Sequence, residues 1–311
     1  MKTSVLTFCI ALSTIALAAN MSADQQLGAQ VYTRPAFGYG KLVMTVKPTT
    51  EKGMINGFFM LKYNSPHGWP QGWTEVDYEY VPGNRQAWRR TTDGNCGPGG
   101  NSCMQSQLGG QSAANFISIN IIGGPADGGP KPDSQVFYQA PGGVAYFETF
   151  NTYTIEYIPN QVIWTASGIN NNKPFMYQDP GNTTADIHQS DGLKYFADRE
   201  MYIWLNCYSG LGNPNGFAGP DVPTTDTEMV VKNVAFYPLV GCDNGNCTFA
   251  TTPSMSSDFV NGKYTLTGVA NPAFNDIWVN QDFLNNPIYT VARHANVVPG
   301  KGLVLSYTYK R

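Results

Sequence analysis

Charge is scarce in this chain: 13% of its 311 residues are Asp, Glu, Lys or Arg, about half of the usual ~25%. The formal net charge is -3, so there is no basic footprint for a nucleic acid to dock on. Only three histidines are present, His67, His188 and His294. None is grouped with cysteines at metal-ligand spacing, which argues against a zinc site. G-x-S-x-G and P-loop patterns are missing. No segment holds a sustained helical period, and beyond the N-terminus no apolar run approaches the ~20 residues of a membrane span.

What is abundant is turn chemistry: Gly 33 and Pro 21. Short alternating segments lie between these punctuators, at 41–47, 55–62, 74–81, 116–122, 152–158, 161–166, 201–207 and 228–238. That pattern predicts an all-β protein, an antiparallel jelly-roll sandwich. The long irregular stretch 83–112 directly follows the third of these segments, and loops of that length are uncommon unless functional. It either borders the same cleft or is a stapled surface loop.

The N-terminus reads Met1-Lys2, an apolar stretch through Leu17, then Ala18. This is the layout of a secretory signal with cleavage after residue 18, so export, secreted or periplasmic, is expected. Five cysteines would remain. The economical disulfides are Cys96 with Cys103 and Cys242 with Cys247, leaving Cys207 as a buried thiol, although five cysteines allow other pairings. After Leu239 the texture changes. Residues 241–311 offer three or four further short strands, near 263–267, 288–293 and 303–309, and are expected to form a small C-terminal β extension packed on a main domain at 19–240.

The most informative segment is Trp73-Thr74-Glu75-Val76-Asp77-Tyr78-Glu79-Tyr80. In a strand, Glu75, Asp77 and Glu79 line one face and Val76, Tyr78 and Tyr80 the other. With 22 acids in 311 residues, such a triple arises by chance roughly 0.1 times in a chain this long. Like charges in a row repel and are costly to desolvate. The bland alternative is a solvated strand face. The functional one is the pair of carboxyl groups that glycosidic bond cleavage requires. Trp73 shares the acidic face, and an indole there can stack on the apolar side of a sugar.

Glu75-Val76-Asp77-Tyr78-Glu79 resembles the E-x-D-x-E strand of glycoside hydrolase family 16, which includes lichenases, laminarinases and xyloglucan transglycosylases. Further segments resemble the family in the right order. Phe37-Gly38-Tyr39-Gly40-Lys41 with 43–48 is similar to its "YGYG" strand, and Gly57-Phe58-Phe59 to the next one. Residues 116–123, with Asn120, are similar to the strand after the acids. Thr152-Tyr153-Thr154-Ile155-Glu156-Tyr157 and Val162-Ile163-Trp164 are similar to its paired hairpin, and 229–237 to its last strand. The resemblance spans residues 30–240.

It implies a concanavalin A-like jelly roll of two curved sheets and a retaining, endo-acting β-glucanase on a β-1,3-1,4-glucan-like polysaccharide. Glu75 would be the nucleophile, Asp77 its assistant and Glu79 the general acid/base. No cofactor enters the chemistry, no metal ligands are assignable, and a structural calcium is compatible with the family. A monomer is expected. A transglycosylase on the same scaffold and a non-catalytic lectin are the alternatives; a lectin has no need of all three acids. The resemblance suggests sugar contacts at Asn120, Phe37, Tyr39 and Phe59 beside Trp73, with Trp69 and Trp88 as loop platforms. No residue is inserted before the last Glu, as on the lichenase and transglycosylase side of the family. Tyr78 replaces a small aliphatic, and Trp204-Leu205-Asn206 stands where the family has Asn-x-Trp, so the two side chains are exchanged.

Overall fold

The computed structural model describes residues 28–63, 73–83, 111–123, 136–159, 161–169, 175–178, 200–210, 218, 220–243, 246–282 and 295–309. The expected secretory signal, Cys96, Cys103, Trp69, Trp88, most of the 83–112 stretch and the strand expected at 288–293 lie outside these residues.

The protein is a sandwich of two antiparallel sheets. The first carries, in spatial order, β15 (Trp278–Asp282), β1 (Gly28–Thr33), β10 (Tyr202–Ser209), β3 (Met54–Tyr63), β4 (Trp73–Tyr80), β5 (Phe116–Gly123) and β6 (Val136–Gln139). The second runs β14 (Lys263–Leu266), β13 (Met255–Asp258), β11 (Thr227–Asp243), β2 (Gly40–Lys47), β7 (Asn151–Ile158), β8 (Gln161–Ala166) and β9 (Phe175–Gln178). Strand β17 (Gly302–Tyr307) also pairs with β11 and carries β16 (Ala295–Val298). Non-sequential neighbours such as β1 beside β10 and β11 beside β2 give the jelly-roll winding.

Alternation explains why these segments are strands. In β2, Leu42, Met44 and Val46 are buried while Lys41, Val43, Thr45 and Lys47 are half-buried. Its neighbour β7 buries Tyr153, Ile155 and Tyr157 and turns Thr154 and Glu156 outward. Across the outer face Lys41 and Glu156 stand opposite each other and form an ion pair at 3.5 Å. The inner faces meet in one core, in which Phe58 and Tyr78 of the first sheet pack on Tyr153 of the second with ring centroids 4.7 and 5.3 Å away. Each fully buried ring of this size contributes ~1.5–3 kcal/mol of burial free energy.

The described residues after 240 do not form a layer of their own. The boundary expected there falls inside β11, which continues to Asp243 and turns back through β12 (Asn246–Phe249), the hairpin being clipped by a Cys242–Cys247 disulfide. Further on, β13 and β14 lengthen the second sheet and β15 lengthens the first. Phe259, Ile277, Trp278, Leu303 and Leu305 are buried in the same core as the strands before 240.

Candidate active site

Strand β4 behaves as its pattern demands. Val76, Tyr78 and Tyr80 are fully buried between the sheets, and the Tyr78 hydroxyl donates to the Thr154 carbonyl of the opposite sheet at 3.2 Å. Glu75, Asp77 and Glu79 therefore share the other face of the first sheet. Glu75 and Glu79 are half-buried, while Asp77 between them is fully buried.

Three hydrogen bonds outside the strand ladder hold the backbone beneath the acids. The Trp164 indole, reaching from β8 across the core, donates to the Asp77 carbonyl at 3.0 Å. The Ser118 hydroxyl donates to the Glu79 carbonyl at 3.0 Å, and the Asn56 amide to the Tyr80 carbonyl at 2.9 Å. A strand fixed from both sides presents its carboxyl groups with little freedom to drift, the condition under which positioned groups act efficiently.

Register defines the surroundings. Directly opposite residues in antiparallel strands share a face. One cross-strand row runs Tyr32, Trp204, Phe59, Asp77, Asn120; the next runs Gln30, Asn206, Gly57, Glu79, Ser118; a third joins Tyr202 and Leu61 to Glu75. The first row is aromatic up to the middle acid. Tyr32 stacks on Trp204 with centroids 4.4 Å apart, and Phe59 lies near-parallel to Trp204 at 6.2 Å. Trp204 is thereby packed among other rings of its own row. The second row is polar and contains a glycine beside Glu79.

Of the residues expected to contact sugar, Asn120 and Phe59 stand on the acidic face, 3% and 5% exposed. Trp73 is the first residue of β4, opposite Tyr63, on the register that Glu75 shares. Phe37 and Tyr39 are corrections. Phe37 bridges Met201, whose side chain is in the core, and its ring packs on Phe236 of the second sheet at 4.7 Å. Tyr39 packs against Tyr157 at 4.8 Å. Neither is brought to the acids, because the chain before β2 passes over to the second sheet. Sequence reading missed Tyr32 and Gln30 as members of this face and singled out Asn206 only as half of the exchanged Trp204/Asn206 pair. Strand β1, buried on both faces except at Tyr32, offered no alternation to read, and which strands flank β4 is decided by topology.

A cleft of about 550 Å³ opens elsewhere, between Lys47, Glu148, Asp226 and Glu228, and contains none of the three acids. Among the described residues no group of three or more His, Cys, Asp or Glu is placed to hold a metal. Cys207 of β10 is a buried free thiol, and burial pushes its pKa up to about 12. No helix among the described residues is long and apolar enough to cross a membrane.

A two-sheet β-sandwich bearing a pinned row of alternating acids on one sheet face is the class that fold and geometry define. Residues 11–116 match the family model described as Glycosyl hydrolases family 16. A beta-glucanase of Fibrobacter succinogenes (strain ATCC 19169 / S85) is 26% identical over 186 residues, covering 60% of this chain and 42% of that protein's length. Over these residues the chain is similar to glycoside hydrolase family 16, and it spans less than half of that relative's length. Among solved structures, a Bacteroides ovatus mixed linkage glucan GH16 protein in complex with a G4G4G3G product overlays with a TM-score of 0.39 at 15% identity, covering 68% of this chain and 83% of that one. The catalytic domain of an endo-1,3-beta-glucanase (laminarinase) from Thermotoga petrophila RKU-1 gives 0.36 at 20% identity, covering 61% and 58%.

Proposed function

We propose that the protein is an exported, retaining endo-β-glucanase that cleaves a β-1,3-1,4-glucan-like polysaccharide with carboxyl groups alone. The observation that carries this reading is the shared face of Glu75, Asp77 and Glu79, with two half-buried acids flanking a buried one. Retention calls for two carboxyl groups ~5–5.5 Å apart. Residues four apart on a strand have Cα atoms ~13 Å apart, so Glu75 and Glu79 lean toward one another over Asp77. Protonated Glu79 donates to the glycosidic oxygen while ionised Glu75 attacks the anomeric carbon. Glu79 then takes a proton from water, which releases the sugar from Glu75. Asp77, shorter by one methylene, stays beneath and orients the nucleophile.

The family match and the similarity to a Fibrobacter beta-glucanase support a glucan as substrate. Asn120 opposite Asp77, with Trp73 and Phe59, supplies sugar contact. The test is release of reducing ends from mixed-linkage glucan, with the anomeric configuration of the first product followed by proton NMR. Retention in the wild type and loss of release in Glu75→Gln and Glu79→Gln are expected. Inversion, or wild-type-like release by either variant, sinks the assignment. Adding an oligosaccharide acceptor separates hydrolysis from transglycosylation, and glycan binding without release would identify a lectin.

A further inference from the structure

The buried asparagines of the first sheet are treated unequally. Asn56 is fully engaged: its Oδ1 accepts from the Thr49 amide at 2.8 Å, and its Nδ2 donates to the Thr49 and Tyr80 carbonyls. Asn206, 7% exposed on the acidic face, has a buried Oδ1 that accepts no hydrogen bond from the protein. An unpaired buried acceptor is costly, and an apolar residue would serve packing better at this position.

Where that oxygen lies is informative. A Cβ built on Gly57 would stand 2.5 Å from Asn206 Oδ1. The carboxamide of β10 therefore leans across β3 into space left by the missing side chain. Gly57 is not among the residues with positive φ, so its backbone does not call for glycine. The space does. On the far side of Gly57, directly opposite it, is Glu79. Asn206, Gly57 and Glu79 are consecutive members of one cross-strand row, with no side chain on the middle position to separate the outer two.

Resting on the acid/base role of Glu79 given above, we infer that Asn206 is a positioning residue: its Oδ1 accepts the hydrogen bond of the protonated Glu79 carboxyl across the gap at Gly57. An acceptor facing a carboxyl favours its neutral form, because the ionised form has no proton to donate and repels the carbonyl dipole. A general acid must carry its proton when substrate arrives, and the row supplies a reason for it to do so. Among the described residues, the other titratable groups around Glu79 are few. Glu75 and Asp77 on its own strand also favour the neutral form, Tyr208 lies one step further along β10, and Asp221 lies against Gly83 beyond the strand end. Strands β3 and β5 present Gly57, Ser118 and Asn120 to it, all uncharged.

The test reads Glu79 directly, by carbon-13 NMR titration of the full chain with labelled glutamate carboxyls and Glu79→Gln to assign the signal. In Asn206→Leu the Glu79 midpoint is expected to fall by roughly one pH unit. In Asn206→Asp, where a second carboxylate faces it, the midpoint is expected to rise. Gly57→Ala, which leaves Asn206 in place but displaces its oxygen, should move the midpoint in the same direction as Asn206→Leu. Midpoints unchanged in all three variants overturn the inference. Activity is a separate readout: the basic limb of kcat/KM should follow the NMR midpoint. An inactive wild type whose Glu79 midpoint still responds removes the glycosidase reading and leaves the pairing standing. An active wild type with an unresponsive midpoint does the reverse.

Discussion

The two faces of β4 are built from adjacent residues and follow opposite rules. On the inner face Tyr78 and Tyr80 are fully buried and both hydroxyls are satisfied, by the Thr154 and Ala114 carbonyls at 3.2 and 3.0 Å. On the outer face Asp77 is equally buried, and the neighbouring amides Asn120 and Asn206 each keep an oxygen that no protein group reaches. Folding alone selects the first arrangement, since both hydroxyls that β4 buries there are paired. The second is tolerated only where something other than folding demands it, which is how a site differs from a core.

The sharpest way to break that contrast is to alter one face and leave the other intact. Glu79→Gln, like Glu75→Gln, should lower kcat by about 10³-fold or more with an unchanged thermal midpoint. A variant that unfolds instead would mean that the outer face is structural too.

The inner face has its own signature at high pH. Burial raises the pKa of Tyr78 and Tyr153 well above the usual tyrosine value, and that of Tyr80 as well. The folded state thus holds these protons more tightly than the unfolded chain. Their contribution is complete below pH ~10 and is lost as pH rises from there through the folded values. By pH 11 each costs roughly 1.4 kcal/mol. Stability against urea should fall steeply above pH 10, and Tyr78→Phe should flatten the slope. A slope unchanged in that variant would show that Tyr78 titrates normally.

The link between the faces is the Trp164 indole on the Asp77 carbonyl. Trp164→Phe removes that bond and part of a fully buried ring, and should cost about 2–3 kcal/mol by denaturant unfolding. It should also lower kcat, because the middle acid loses its anchor; a stability loss with full kcat would detach the anchor from the site. The smallest effect expected is that of Ser118→Ala, about 1 kcal/mol from the lost bond to the Glu79 carbonyl, measured in the same way.

Much of this was legible in the residues. Period-two alternation places β2, β3, β4, β5, β7, β8, β10 and β11 within one or two residues at most ends, and it puts the acids on one face because register within a strand needs no tertiary information. Strand β1 escaped because its Gly28–Thr33 segment is buried on both faces except for Tyr32, so it shows no alternation. Phe37 and Tyr39 were misplaced because a motif names neighbours in sequence, whereas the sheet that a ring enters depends on where the chain crosses over. Asn206 and Gly57 carry no signal in isolation. Their meaning arises from β10, β3 and β4 lying side by side.

Strand β15 caps the β1 margin of the first sheet, while β13, β14 and β17 flank β11 in the second. Until those strands arrive, the backbone groups along one side of β1 have no ladder to join, and an open margin of this kind recruits other chains. A ribosome making this protein therefore releases the acid-bearing strand long before the sandwich around it can close. The nascent sandwich keeps that margin open until the strands between Trp278 and Tyr307 have emerged.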